Sequence, residues 1–507
     1  MRWHRTVATV PHGLVAILLV GAALRFYGLG AEALWTDELI TVEFVRAYSP
    51  LELFVAIPLN QPHLPLYYVI LDLWAAIGGF SATWLRLLSA VFSVLAIPVM
   101  YRVGRDLFDH TAGIVSALLF ALTQFQVYYA QEVRMYSLVA LLSLVSLSLY
   151  VRLLGRGGRW RAAGYALATI ALAYTHPFGV LVAFAEGLYV LAALRAGTVR
   201  LDRPHLGAAA AVTLAILPLL AGLVYKLASF GGASALPYIP PPTPAVVFAV
   251  FTGYFAETSI EAAVAFVALL TGGLLVLGVT DGRVTEALDS NPATALGTLA
   301  DRLSPTDDHG VHLLAVWVLA TFFLPIVVSY LLLPVFWPRY TLPAALGFYL
   351  LVGRGVTRVR RSHLQVGLVV LLVVAVAPTT AFELTTDTKE QWDEATADIE
   401  SRADPGALVL VSDLITERGV EHYRTRSDIQ VEGVTAAGSG TGRDPVTDAE
   451  LERTLAGHDE VWLVLSHTNE RSDERLKAAV SDGRVLKYER NYVGIEVYRY
   501  ERPDDGG

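Results

Sequence analysis

Cysteine is absent from all 507 residues, methionine occurs only three times, and lysine is confined to Lys226, Lys389, Lys477 and Lys487. Without thiols there are no disulfides and no thiolate metal sites, and the redox compartment stays undecided. Charge is scarce too: 17% of residues are Asp, Glu, Lys or Arg, against 54% hydrophobic, with a mean hydropathy of +0.50. The length would allow two or three soluble domains. A soluble core, however, does not need repeated apolar runs about 20 residues long, the length of helix that crosses hydrocarbon. The composition therefore describes a polytopic membrane protein. The shortage of Lys leaves Arg as nearly the only base. High-salt surroundings, as of halophilic archaea, select few Lys and acidic exposed domains; a GC-rich genome also favours Arg.

What charge there is lies unevenly. From Glu383 to Gly507 there are 28 acidic against 15 basic residues, a net of −13, while the rest of the chain carries +4. An acidic tail on a slightly basic membrane body makes nucleic acid a poor partner. The expected division is a membrane domain over 1–385, with a long first outer loop at 29–83, and a soluble domain over 386–507.

The first apolar run, His12 to Tyr27, follows Arg2 and Arg5, but no small-residue cleavage site comes after it, so it reads as a retained helix. Further spans fall near 84–101, 111–128, 135–154, 161–175, 177–194, 206–226, 260–279, 311–333, 339–353 and 364–382. Cytoplasmic loops carry the Lys/Arg excess. The clusters Arg102/Arg105, Arg152/Arg156/Arg159/Arg161, Arg195/Arg200/Arg203 and Arg354/Arg358/Arg360/Arg361 then all face inward if the spans pair between them. That arrangement gives eleven crossings, with 12 or 13 as alternatives. The N-terminus lies in the cytoplasm and the tail outside the cell membrane. Residues 64–80, which begin among prolines and carry Asp72, read as an interfacial or re-entrant helix on the outer face. Gly231–Pro244 reads as a stiff Pro-rich outer loop, and Asp281–His309 as a polar cytoplasmic loop.

In the tail, Ala407–Ser412 and Val461–Ser466 are short, apolar and β-branched, as buried strands are. Helical stretches at Trp392–Ser401, Asp448–Ala456 and Asp473–Ala479 surround them, and Val485–Arg499 alternates like a hairpin around Asn491–Gly494. The fold class is thus a polytopic α-helical membrane protein with a small extracytoplasmic α/β domain.

On this topology the notable polar residues gather on the outer side. Asp37 and Glu38 are adjacent carboxylates just beyond the first helix, suited to a base and a Mg2+ or Mn2+ ligand, or simply to the first turn of a helix capped by Thr36 or Asp37. His63 sits between prolines ahead of Tyr67 and Tyr68, as a ligand or a structural hydrogen-bonder. The turn Tyr128–Tyr136 holds Glu132, Arg134 and Tyr136, and charges at a membrane boundary are usually paired or functional. Arg339, beside Tyr340, breaks the positive-inside pattern; gripping a phosphate through its two-pronged guanidinium is a reason for it to be there. His176 occupies another outer turn.

Taken in order, these elements resemble the GT-C glycosyltransferases of the protein O-mannosyltransferase type (glycosyltransferase family 39), a group that includes the lipid A aminoarabinose transferases. The resemblance covers roughly residues 12 to 360. It rests on the Asp37-Glu38 pair, the element around His63, Arg86-Leu-Leu-Ser-Ala, the Tyr128–Tyr136 turn and Arg339-Tyr340-Thr-Leu-Pro. Two features depart from the family: His63-Leu64-Pro65 stands where His-Pro-Pro is usual, and the acidic tail is unlike the soluble domain of the eukaryotic enzymes.

The resemblance implies an enzyme that moves a sugar from a polyprenyl- or dolichyl-phosphate to an acceptor hydroxyl on a glycan, protein or lipid, inverting the anomeric carbon. Asp37 is then the base, Glu38 orients the acceptor or holds a divalent cation, and Arg134, Arg339 and Tyr340 face the donor phosphate. His63, Tyr67, Glu132, Tyr136 and His176 are further site candidates. Two rival readings are a lipid-linked glycan ligase or oligosaccharyltransferase and a secondary transporter. The first lacks a Trp-Trp-Asp-type element in the tail; the second would need polar groups near mid-membrane on broken helices.

Overall fold

The computed structural model describes residues 11–60, 63–230, 239, 241–280, 308–412, 417–435 and 446–503. Most of the expected loop at Gly231–Pro244, and nearly all of that at Asp281–His309, lies outside the described residues. The chain divides into two compact units. Met1–Tyr27, Tyr48–Gly79 and Trp84–Thr385 form the membrane unit; Gly28–Ala47, Phe80–Thr83 and Thr386–Gly507 form the second. Residues 28–47 and 80–83 therefore cluster with the tail.

Helices dominate. The first are α1 (His12–Phe26), α2 (Thr36–Ala47), α3 (Pro50–Asn60), α4 (Leu66–Gly78), α5 (Ala82–Leu107), α6 (His110–Leu122) and α7 (Gln124–Ala130). There follow α8 (Tyr136–Arg156), α9 (Arg159–Thr175), α10 (Gly179–Arg195), α11 (Arg203–Phe230), α12 (Pro244–Gly253) and α13 (Glu261–Val279). The membrane unit closes with α14 (His309–Leu331, π-helical over Leu319–Phe323), α15 (Leu342–Thr357) and α16 (Ser362–Thr385). Every expected span is helical.

The number of crossings is a different matter. Among the described residues six helices (α5, α8, α11, α13, α14, α16) are long and apolar enough to cross a membrane, and α6 with α7 makes a seventh if their 58° bend lies within one span. The remaining expected spans, α1, α9, α10 and α15, have 15, 17, 17 and 16 residues. At 1.5 Å per residue they reach roughly 22–26 Å, short of about 30 Å of hydrocarbon. Among the described residues helix length alone thus identifies six or seven full spans and does not confirm eleven. The 13-residue α4 shares the shortfall, with Asp72 half-buried in its middle.

Helices in lipid gain little from hydrophobic contact with one another and depend on close approach. Glycine provides it here. A Cβ at Gly355 would lie 2.0 Å from the Leu274 carbonyl oxygen, and one at Gly278 2.2 Å from that of Leu351, so α13 and α15 meet backbone to backbone. Gly353 approaches the Ala112 carbonyl of α6 in the same way.

Among the described residues Arg25 and Glu186 are 0% exposed between helices of the membrane unit, and each is satisfied by neutral partners. Arg25 donates from Nε to Ser93 Oγ (2.7 Å), from Nη1 to the carbonyls of Gly21 (3.0 Å) and Ala121 (2.9 Å), and from Nη2 to that of Phe120 (2.8 Å). The last two belong to the C-terminal turn of α6, whose carbonyls have no partners within the helix. Glu186 of α10 accepts from Ser146 Oγ (3.1 Å) and Tyr165 Oη (2.9 Å), joining α8, α9 and α10.

The second unit contains a five-stranded sheet in the order β2-β1-β3-β5-β4. Its strands are β1 (Leu408–Val411), β2 (Gln430–Gly433), β3 (Glu460–Leu465), β4 (Val485–Tyr492) and β5 (Ile495–Glu501). β1 runs parallel to β2 and β3, and β5 antiparallel to β3 and β4. The central strands β1 and β3 are buried throughout, which is why they read as unbroken apolar runs. Around the sheet stand α17 (Trp392–Arg402), α18 (Glu417–Tyr423), α19 (Asp448–Leu455) and α20 (Glu470–Ser481). Thr447 and Glu450 close a capping box on α19, and Asn469 caps α20. One face is a core of Leu408, Leu410, Leu451, Leu463, Leu476 and Tyr498 with their neighbours. The other buries Trp392, Ile399 and Trp462.

Candidate functional site

In the membrane unit four segments far apart in sequence meet through their polar and aromatic side chains. His63 lies in the short link ahead of α4, whose N-cap is Pro65. Arg134 is in the turn between α7 and α8. His176 ends α9 in an extended conformation, since Pro177 after it disfavours a helical His176. Arg339 and Tyr340 occupy the turn into α15, closed by Tyr340 N–H to the Trp337 carbonyl at 3.1 Å.

Arg134 Nη2 stands 2.6 Å from His63 Nε2, and both residues are buried. The His63 ring lies 5.9 Å from that of His176, which in turn lies 6.1 Å from Tyr136 and 5.5 Å from Tyr340. The Arg339 guanidinium sits 5.5 Å from the Tyr340 ring centre. His176 lies in the turn outside the helices; burial first, then the charges of Arg134 and Arg339, push it down to about 3, so it is neutral near pH 7. Its Nδ1 accepts from Phe178 N–H at 3.2 Å, which leaves the proton on Nε2. Two guanidiniums thus act on one neutral imidazole, with the buried carboxyl group of Glu132 in the same turn as Arg134.

The other expected residues of this unit occupy its margins. Tyr67 Oη lies 3.0 Å from Ser89 Oγ, which donates to the Arg134 carbonyl at 3.2 Å, so Tyr67 braces the Arg134 turn from α4 and α5. Glu132 is buried near Tyr128 and Tyr129. Tyr136 packs edge-on to Tyr129 at 4.9 Å. Arg86, also buried, lies on α5.

Asp37 and Glu38 belong to the second unit, where the structure separates them. Both lie in the first turn of α2, as the helix-start reading has it, and acids are favoured there. Glu38 turns inward and is fully buried. Its carboxylate receives Trp35 N–H at 3.4 Å and faces Lys389 Nζ at 4.0 Å. Asp37 stays half-buried, with its carbonyl receiving the Thr41 hydroxyl at 2.9 Å. This donor set fits a resident divalent cation poorly. An ammonium already balances Glu38, and among the described residues no group of three His, Asp or Glu side chains could hold a metal.

Sequence reasoning missed three features. Lys389 and Glu390 lie some 350 residues from the helix they touch, and the only signal was that Lys389 is one of four lysines. Arg25 was hidden inside an apolar run, and Glu186 in a span that otherwise looked uncharged.

Comparison with known proteins agrees with this architecture. Residues 60–221 match the family described as dolichyl-phosphate-mannose-protein mannosyltransferase. No curated protein matches the chain in sequence. Among solved structures, ArnT from Cupriavidus metallidurans bound to undecaprenyl phosphate is 12% identical, with 97% of this chain and 98% of that one covered at a TM-score of 0.55. The same protein in its apo state is 13% identical, with 96% and 97% covered at 0.52. The archaeal oligosaccharyltransferase AglB from Archaeoglobus fulgidus is 12% identical, with 96% and 73% covered at 0.53. The chain has the fold of the GT-C glycosyltransferases and resembles their protein O-mannosyltransferase and aminoarabinose transferase branch.

Proposed function

We propose that this protein is a membrane glycosyltransferase that moves a sugar from a polyprenyl- or dolichyl-phosphate to an acceptor hydroxyl on the outer face of the cell membrane. The observation that carries this reading is the convergence of His63, Arg134, His176, Arg339 and Tyr340 into one buried cationic cluster of the membrane unit. Such a cluster suits a lipid-linked phosphate. The named resemblances point the same way, since one relative's structure holds undecaprenyl phosphate and the matched family is described by a dolichyl-phosphate sugar.

The chemistry is a single displacement. The acceptor oxygen attacks the anomeric carbon, the bond from that carbon to the phosphate oxygen breaks, and the configuration inverts. Asp37 takes the acceptor proton as general base. The lipid phosphate leaves as a stable anion and needs no acid, only positive charge near its oxygens, which Arg134 and Arg339 supply. Of the two carboxylates, Glu38 lies buried against Lys389, and the half-buried Asp37 is assigned the base, as the resemblance implies.

With purified protein and a panel of dolichyl- and polyprenyl-phosphate sugars, Asp37→Asn loses turnover by about 10²- to 10⁴-fold while the protein stays folded. Turnover near the unmodified level would remove Asp37 as base. Arg339→Ala raises KM for the donor more than for the acceptor; equal effects would count against phosphate binding. Orientation is checked directly, since the chain has no cysteine of its own. Ser481→Cys should react with an impermeant maleimide on intact cells, and labelling only after permeabilisation would reverse the topology.

A further inference from the structure

Asp37 is held from both sides by the start of the carboxy-terminal domain. The residue before it, Thr36, donates its N–H (3.0 Å) and its hydroxyl (2.5 Å) to Glu390 Oε2. The residue after it, Glu38, faces Lys389. Slightly upstream, Glu32 Oε1 receives the N–H groups of Thr388 (2.6 Å) and Lys389 (3.0 Å), and Leu34 N–H reaches Tyr423 Oη at 2.7 Å. Every one of these residues belongs to the second unit.

Glu390 is itself fixed. Trp392 Nε1 donates to its Oε2 at 2.6 Å, and His467 Nε2 stands 2.5 Å from its Oε1. Its chain rests on the hairpin turn between β4 and β5, where a Cβ at Gly494 would come within 2.9 Å of Glu390 Cγ. The Gly494 carbonyl, in turn, receives Ser466 Oγ at 2.8 Å. Lys389 and Glu38 are 4% and 0% exposed.

Helix starts leave N–H groups that need partners from outside the helix. A local cap normally satisfies them; here Thr36 N–H goes to a carboxylate 354 positions away. The first turn of α2 therefore depends for its geometry on the domain that follows the last helix of the membrane unit. Burying several charged groups to do this costs desolvation that an apolar contact would not incur. The return is direction: hydrogen bonds fix an orientation, whereas apolar packing tolerates sliding.

We propose that Lys389 and Glu390 are positioning residues for the transfer reaction, a clasp through which the carboxy-terminal domain sets the orientation of Asp37. The proposal rests on the reading of Asp37 as base. Neither residue touches substrate; each acts through its neighbour on α2.

The test uses the full-length protein in nanodiscs, with Lys389→Met, Lys389→Arg, Glu390→Gln and Thr36→Val. Steady-state transfer is measured together with amide hydrogen exchange over residues 34–41. Lys389→Met and Glu390→Gln should each lower kcat about 10- to 100-fold, as for a reacting group displaced by about 1 Å, with donor KM unchanged and exchange raised over 34–41. Lys389→Arg, which keeps the charge, should recover part of the loss. Thr36→Val, which removes only one hydroxyl, should give a smaller fall in the same direction and serves if the charged variants do not fold. Unchanged exchange in both Lys389→Met and Glu390→Gln would overturn the clasp whatever the turnover. Raised exchange with normal kcat, or a change confined to donor KM, would overturn the positioning role. If Asp37→Asn keeps its turnover, the base assignment fails instead, and the exchange measurement still decides the clasp.

Discussion

The two units differ in how their most deeply buried charged side chains are satisfied. In the membrane unit Arg25 meets a hydroxyl and three carbonyls, and Glu186 meets hydroxyls; among the described residues neither faces an opposite charge, although Arg354 of the same unit, 2% exposed, pairs with Asp308 at 3.2 Å. In the second unit Glu38 faces Lys389, Glu390 faces His467, and Glu460 receives Arg499 Nε at 2.6 Å. The difference follows from what each environment offers. Between lipid-embedded helices an ion pair would require two groups to give up water, while hydroxyls and end-of-helix carbonyls are already there and need partners. In a water-facing domain one member of the pair can keep part of its hydration, as the half-exposed His467 does. The dipole-held charges are fixed struts; the paired ones respond to pH. Apart from both patterns, Arg134, Arg339 and neutral His176 come together from separate turns, with the buried Glu132 in the same turn as Arg134, and it is this convergence that reads as a site rather than a strut.

The sharpest way to break this comparison is to remove a strut. Arg25→Met strands the Ser93 hydroxyl and the carbonyls at the end of α6, where the chain bends by 58° into α7. Each buried polar group left without a partner costs about 1–3 kcal/mol, so a loss of about 2–4 kcal/mol is expected after partial relaxation. Thermal unfolding in detergent, followed at two ionic strengths, checks it. The shift should be large and indifferent to salt; a normal unfolding temperature would mean that the knot carries little.

A smaller effect separates charge from hydrogen bonding at Glu186. An amide oxygen can still accept from Ser146 and Tyr165, so Glu186→Gln should cost under about 1 kcal/mol. Glu186→Leu abandons both hydroxyls and should cost about 1–3 kcal/mol. If Gln proves as damaging as Leu, the negative charge itself matters, and the strut account of the membrane unit is wrong at this position.

How much of this could be read beforehand depends on the range of the interaction. Helix positions were legible because apolar runs are local, β1 and β3 because buried strands read as short apolar runs, and the terminal hairpin because its residues alternate around Asn491–Gly494. Strand β2 escaped: Gln430–Gly433 is a polar edge strand with no fully buried residue. The number of crossings is not settled by helix length, since hydropathy reports apolarity but not whether the helix continues for a full span. Of the site, His63, Arg134, His176, Arg339 and Tyr340 were named from their turns, and their convergence is a matter of tertiary packing that no local pattern displays. The partition of Asp37 from Glu38 was illegible for the same reason. Two adjacent carboxylates look equivalent until Lys389 arrives from the far end of the chain.

The smallest expected effect concerns acid, and it tests whether the paired charges are the responsive ones. Burial disfavours the charge on Glu390, yet the bonds from His467, Thr36 and Trp392 outweigh it and hold the carboxyl below the usual Glu range. Asp398 is lowered as well: burial opposes its charge, but the bonds from Tyr488 and Arg402 prevail. A carboxyl that is more acidic folded than unfolded lends stability above its unfolded pKa, and that stability is lost as the pH falls through the folded value. Glu417 works against this trend, because burial and then Glu421 raise it, so its protonation on acidification favours the fold. Glu400, Asp428, Glu450 and Glu496 are lowered too, so with six lowered groups against one raised the second unit should loosen as the pH drops below the ordinary carboxylate range, about 4. Amide exchange in β1 and β3 should rise there, while exchange in α8 and α10, braced by Glu186 and its hydroxyls, stays level. Parallel loosening of both would show that acid acts on the whole chain and not on the paired charges.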